Sequence, residues 1–284
     1  MNHELANAPL GHETRYPTRY DPSLLFPIKR QTVIPPSTPY IGWDYWRGYE
    51  LSWLQSNGLP CVALIKIMVP FHSPYITESK SLKLYLNSFN QEKFESVTEI
   101  AHCIKKDISH AAGTQVEIEV LSASSFHLEK IEEPDGLAVE INPIRKMLEI
   151  NIDQSDRIFH IYSPDASLLM CHKGLAVKTE AVFSRLLKSN CPVTNQPDWA
   201  SVHIGYRGHP IDHDSLLAYI VSFRQHQGFH EQCVETIFAD LMQRCEPEML
   251  SVYARYTRRG GLDINPWRAT PGCPPPSLNR SAQQ

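Results

Sequence analysis

The chain repeats itself, and the repeat limits the folds open to it. Ser81-Leu82-Lys83-Leu84-Tyr85-Leu86-Asn87-Ser88-Phe89, followed by Phe94-Glu95-Ser96, lines up with Ser215-Leu216-Leu217-Ala218-Tyr219-Ile220-Val221-Ser222-Phe223, followed by Phe229-His230-Glu231. The second copy carries one inserted residue. Downstream, Val97, Ile100, Ala101 and Ile104 find counterparts in Val234, Ile237, Phe238 and Leu241, so each copy holds a second amphipathic helix. Each helix pair precedes an alternating run, residues 116–120 in one copy and 250–256 in the other, with the period of a strand. The pattern predicts two related α+β modules from a tandem duplication, each a strand region, two helices and further strand. A chain of 284 residues can bury two such cores.

Composition narrows the class. A net charge of −4 and a pI near 6.3 argue against a protein that coats nucleic acid. Seven cysteines, odd in number and without a C-x-x-C pair, suggest neither a disulfide framework nor a zinc knuckle. The thirteen histidines show no H-x-x-x-H pair on a credible helix, so no metal site is expected. No apolar run reaches membrane length and the first residues lack an apolar signal core. A soluble protein of the reducing cytoplasm, without membrane or direct nucleic-acid contacts, is the expectation.

In chain order, residues 1–45 are rich in Pro and Tyr and read as an extended arm, packed on a neighbour or partly mobile. The first module is expected over 46–172 and the second over 173–268. Cys61 to Val69 reads as a strand with both faces largely covered. Ser79 or Ser81 can cap a helix carrying Leu82, Tyr85, Leu86 and Phe89 on one face, with Lys80 and Lys83 close together near its start. Cations there oppose the helix dipole, as at a phosphate site, although the pattern alone favours a solvated helix start with two ordinary lysines. Residues 148–152 and 158–162 read as strands, and 269–284 as a disordered or loosely docked tail.

Three further places carry possible chemistry. Cys191 follows a helical-looking run, Glu180 to Lys188, and precedes Pro192; Asp198 stands just before a strand in which Ala200, Val202, Ile204 and Tyr206 alternate with polar neighbours. A thiol and an acid facing each other across a tight loop can serve as nucleophile and proton donor. A small buried Cys and a turn-forming Asp are the structural alternative. His230-Glu231 opens a helix after Gly228 and could bond a heterocycle, or Glu231 could merely suit the helix dipole. Arg258-Arg259-Gly260-Gly261 places two guanidinium groups at a flexible glycine turn, suited to phosphate. No G-x-G-x-x-G fingerprint is present, so a Rossmann domain is not indicated.

Taken together, Glu78-Ser79-Lys80-Ser81-Leu82-Lys83, Ser189-Asn190-Cys191-Pro192 with Asp198, Phe229-His230-Glu231-Gln232-Cys233 and the run from Tyr253 to Pro266 resemble the NADPH-dependent 7-cyano-7-deazaguanine reductases in their long two-module bacterial form. The resemblance spans roughly residues 45–268 and is densest after Leu186. It implies tandem tunnelling-fold modules, each an antiparallel sheet backed by two antiparallel helices, with ligand sites at module or subunit interfaces and a homodimer as the expected assembly. It also implies roles: Cys191 as nucleophile and Asp198 as proton donor and acceptor; Thr77, Glu78, Ser79, His230 and Glu231 for the 7-cyano-7-deazaguanine substrate; Ser79, Lys80, Arg259 and Gly260 for NADPH. The implied reaction is reduction of the nitrile to an aminomethyl group through a thioimide on the cysteine, a step of tRNA queuosine biosynthesis.

Overall fold

The computed structural model describes residues 16–141 and 158–284, which fall into two compact units. The first holds residues 16–31, 43–130 and 258–265; the second holds 32–42, 131–141, 158–257 and 266–284. The expected strand at 148–152 lies outside the described residues.

Unit 1 runs β1 (Pro27–Lys29), β2 (Ile41–Leu54), β3 (Pro60–Pro70), β4 (Tyr75–Thr77), α1 (Ser79–Asn87), α2 (Val97–Ala112) and β5 (Glu117–Ser122). Its main sheet is antiparallel in the order β5-β3-β2. Leu51, Trp53, Ala63, Ile65 and Ile67 from the sheet meet Leu82, Tyr85, Phe89, Ile100 and Ile104 from the helices. That is the amphipathic spacing of both helices realised as one core. β3 alternates buried and half-covered residues, with Val62 exposed, so only one of its faces is fully covered rather than both.

Three local expectations change in this unit. The cap of α1 is Glu78, whose carboxylate accepts from the N–H groups of Lys80 (2.7 Å) and Ser81 (2.8 Å); neither serine caps it. Ser81 Oγ instead donates to the Glu78 carbonyl. From Tyr20 to Gln31 the arm docks on its own module, where β1 pairs with β4 and Tyr20 Oη donates to Asp107 at 2.6 Å; residues 32–42 belong to unit 2, with Ile34 in its core. The Arg258–Gly261 turn is tight, because Arg259 and Leu262 exchange backbone hydrogen bonds around Gly260 (φ 61°) and Gly261 (φ 78°). Two consecutive left-handed residues close a two-residue hairpin with the hand of twisted strands, which explains the Gly-Gly pair.

Unit 2 runs β6 (Leu137–Ala138), β7 (Lys178–Asn190), β8 (Pro197–Gly208), α3 (His213–Ser222), α4 (His230–Cys245), β9 (Met249–Tyr256) and β10 (Leu262–Ala269); the first four residues of β10 belong to unit 1. The sheet order is β10-β9-β8-β7-β6, antiparallel except for the two-residue β6. Val182, Leu187, Ala200, Val202, Ile204 and Tyr256 pack under Tyr219, Phe223, Val234, Ile237 and Phe238.

The run Glu180 to Lys188 is strand, not helix. A β-bulge between Ser184 and Leu187 inserts one residue against Val202–Ala200 and breaks the period of two, which left a helix-like spacing in the sequence. Residues 158–162 form no strand, and Ile158 is exposed. The tail is docked within its unit: Glu132 N donates to the Arg280 carbonyl at 2.7 Å, Gln284 Nε2 donates to the Tyr256 carbonyl, and Ser281 and Gln284 are buried. Among the described residues no helix is long and apolar enough to cross a membrane.

Candidate active site

The loop joining β7 to β8 is closed by its own backbone. Cys191 N donates to the Gln196 carbonyl at 2.9 Å and Asn195 N to the Cys191 carbonyl at 3.0 Å, with Asn195 left-handed at φ 59°. Asn tolerates that conformation better than most residues. The strand end is also held from the side. Asn190 N donates to the His226 carbonyl, Gly228 N to the Asn190 carbonyl, and Lys188 Nζ to Asn190 Oδ1 and the Arg224 carbonyl.

Strand register fixes where the thiol and the acid point. Ser189 lies opposite Asp198 and Asn190 opposite Pro197. Side chains alternate along a strand, so Leu187, Ser189 and Cys191 share the face of Asp198, Ala200 and Val202, which is the core face. Cys191 is 4% exposed and Asp198 7%. The expected thiol and acid therefore do share a face at the end of the sheet, brought there by two strands and a turn.

Helix α4 supplies the other wall. Its first residue, His230, sets Nε2 3.5 Å from Asp198 Oδ2, and its ring lies flat on Tyr256 with centroids 3.7 Å apart and 1° between planes. His230 Nδ1 is buried and without a hydrogen-bond partner among the described residues. Glu231 is buried beside it, while Gln232 reaches back to accept from Phe229 N at 3.3 Å. Burial pushes the Tyr256 phenol far up, with Cys233 and Asp198 adding to the shift, and burial lifts the Cys233 thiol to about 12. Both stay protonated at neutral pH.

Tyr256, Lys188 and the pair of Trp199 with Arg224 stacked over it, 5.5 Å away, escaped the sequence reading. Tyr256 had a usable signal, since it ends the inward series Leu250, Val252, Ala254, Tyr256. Lys188 and Arg224 had none, because their contacts depend on the strand and turn geometry.

Thr77, Glu78, Ser79, Lys80, Arg259 and Gly260 belong to unit 1. Glu78 is buried, and burial raises its carboxyl pKa against the opposing pull of the Lys80 and Ser81 N–H groups. Both its oxygens already accept a backbone hydrogen bond, and each retains a further lone pair. Tyr49 N donates to the Gly261 carbonyl at 3.0 Å, and the neighbouring Glu50 forms an ion pair with Lys83 of α1. The glycine turn and the helix carrying Ser79 and Lys80 are thus linked through one strand segment. A Cβ at Gly260 would meet nothing within 4 Å. Ammonium and guanidinium groups beside an open backbone suit a phosphate-bearing cofactor.

Comparison with known proteins bears on this arrangement. Residues 16–120 match the family model "Nitrile reductase, 7-cyano-7-deazaguanine-reductase N-term", and residues 197–272 match "QueF-like protein". The NADPH-dependent 7-cyano-7-deazaguanine reductase of Bordetella avium is 49% identical over 285 residues, covering 99% of both chains. The chain belongs to the NADPH-dependent 7-cyano-7-deazaguanine reductase family. The Burkholderia multivorans reductase is also 49% identical, across the whole of both chains, and that of Bordetella pertussis is 48% identical over 99% of each. The two-module tunnelling fold expected of this family is the α+β architecture described above.

Proposed function

We propose that this chain reduces the nitrile of 7-cyano-7-deazaguanine to the aminomethyl group at the expense of NADPH, for queuosine synthesis. The observation that carries the reading is the placement of Cys191 and Asp198 on one buried face, with His230, stacked on Tyr256, 3.5 Å from the Asp198 carboxylate. The family membership supports it.

A nitrile carbon is electrophilic, and a thiolate adds to it readily once the nitrogen can take a proton. Cys191 Sγ gives up its proton to Asp198 as it forms the bond to carbon, and Asp198 delivers a proton to nitrogen, leaving a thioimide on the enzyme. His230, 3.5 Å from Asp198, orients the carboxyl group and can pass a proton back to it. Glu231 and Glu78 offer acceptors to the ring N–H and amine edge of the deazaguanine, with Thr77 and Ser79 adding hydroxyl contacts. NADPH, when bound, supplies hydride, and four-electron reduction needs two molecules in turn. Ser79, Lys80, Arg259 and Gly260 would hold it. After the first reduction Cys191 must leave as the thiol, and the buried face then keeps water from the imine. The reading predicts a soluble cytoplasmic homodimer that binds no nucleic acid.

The test is absorbance-monitored NADPH oxidation with the nitrile substrate, together with intact-mass analysis of the protein. Two NADPH consumed per substrate, a covalent adduct on the wild type and none on Cys191→Ala are the expected results. Loss of the nucleophile should slow turnover by about a thousandfold or more. Substrate binding without NADPH consumption would leave a deazapurine-binding protein or a nitrile hydrolase as the better account.

A further inference from the structure

β2 carries a bulge between Gly48 and Leu51, where it gains one residue on Ile65–Ala63. Bulges re-aim side chains, and Glu50 sits within this one. Its carboxylate pairs with Lys83 on α1 and lies against Gly261; a Cβ on Gly261 would stand 2.7 Å from both Cδ and Oε1 of Glu50. The same glycine turn carries Arg259, while Arg258 lies over the Tyr49 ring at 4.3 Å. Lys80 is one helical turn before Lys83 on α1. Glu50 thus places a negative charge amid the cationic groups expected to hold the cofactor's phosphates. Its side chain is 59% exposed, whereas that of Lys83 is 18%, so the carboxylate has solvent to swing into and the ammonium does not.

The second module supplies an internal control. Aligning the two bulges places Leu186 where Glu50 stands, and aligning the first helices places Leu217 where Lys83 stands. The same skeleton forms there without any ion pair, so the fold does not demand this one.

We propose that Glu50 is a resident counter-ion, an internal substitute for a phosphate of NADPH, and that the cofactor must displace it from Lys83 to bind. The inference rests on the NADPH-dependent reading above. Glu50 then sets a threshold: a ligand carrying too little negative charge cannot compete for Lys83, so the residue weakens cofactor binding while sharpening the preference for the more highly charged dinucleotide. It also eases release, which a reaction consuming two NADPH in succession requires.

The experiment is calorimetric titration of the full-length protein with NADPH, NADH and 2′,5′-ADP at one fixed ionic strength, for wild type, Glu50→Gln, Lys83→Met and the double variant. Glu50→Gln keeps the shape beside Gly261 and removes the charge. It should bind NADPH three- to tenfold more tightly, and Lys83→Met should cancel that gain. Tightening confined to NADPH and 2′,5′-ADP assigns the displaced position to the 2′-phosphate and supports the charge preference; equal tightening of NADH assigns it to the pyrophosphate and overturns the preference while keeping the counter-ion. Unchanged or weaker NADPH binding by Glu50→Gln overturns the proposal and makes Glu50 a support for Lys83. A wild type that binds none of the three ligands overturns it too, and in that case the reductase reading falls with it.

Discussion

The two modules share a skeleton and differ at the tip of one hairpin. In unit 1, Tyr85 Oη donates to Asp107 at 2.7 Å and its ring meets Phe89 edge-on at 5.2 Å; in unit 2, Tyr219 donates to Asp240 at 2.5 Å and meets Phe223 at the same 5.2 Å. Each long first strand has a one-residue bulge, and the loop that follows closes on itself, Gln55 N to Leu59 O in one and Cys191 N to Gln196 O in the other, both at 2.9 Å. At the closing position unit 1 has Gln55 where unit 2 has Cys191. At the acid position it has Cys61, opposite Trp53, where unit 2 has Asp198, opposite Ser189. Gln55 Nε2 merely contacts Cys61 Sγ at 3.2 Å. One hairpin frame therefore serves as plain structure in one module and as a candidate reaction centre in the other. Backbone geometry supplies the frame; the side chains supply the chemistry.

This comparison can be broken first at the shared skeleton. Phe89→Ala and Phe223→Ala each empty a fully buried ring site and should each destabilise their module by about 3–5 kcal/mol. Chemical denaturation of the two variants, followed by tryptophan fluorescence, tests this; a large loss from one and little from the other would show that the repeat is geometric only. The next effect concerns the tips. Asp198→Asn should cut nitrile reduction by at least about a hundredfold, the usual contribution of a positioned acid, while Cys61→Ala at the matching place leaves the rate within about twofold. Steady-state rates on the purified variants decide it, and an equal loss from both would end the distinction between the hairpins.

The smallest effect is a pH difference between the modules. His203 is enclosed on β8, and burial, reinforced by the Arg255 and Arg185 charges, lowers its pKa to about 3 from 6.5. The unfolded chain takes up a proton below about pH 6.5 that the folded unit refuses. Stability of unit 2 is therefore complete above that pH and falls as pH drops from 6.5 towards 3. The corresponding residue of β3 is Lys66, paired with Glu129 at 2.9 Å, so no histidine stands there. Between about pH 7 and pH 5 the loss should be on the order of 1–2 kcal/mol. It should vanish in His203→Gln, as denaturation midpoints across that range will show.

What could be read in the sequence follows from where periodicity survived. β8, β9, β5 and both helices of each module kept a clean period of 2 or 3.6, and the duplication doubled the signal. β7 did not, because its bulge places Leu186 and Leu187 side by side, and a helix was the natural misreading. The docked tail and arm were lost for another reason: proline-rich segments show no period even when their backbone is bonded throughout. Of the site, the thiol and acid were legible as residue types at a loop, but the Tyr256 ring beneath His230 required a third strand to be in register. Glu50 gave no sign at all, since its neighbours Lys83 and Gly261 lie far away in sequence.

The bulge in β7 also acts as a parity switch. Above it the core-facing residues carry even numbers, Val182 and Ser184; below it they carry odd ones, Leu187, Ser189 and Cys191. Removing the extra residue there would heal the bulge into a regular strand and leave Cys191 on the side of Asp198, whereas removing one residue between the bulge and the loop would turn Cys191 to the opposite side of the sheet. The chemistry of this chain is thus phased like a reading frame: a one-residue deletion past the bulge would silence the thiol as surely as replacing it, while the bulge itself absorbs such a change.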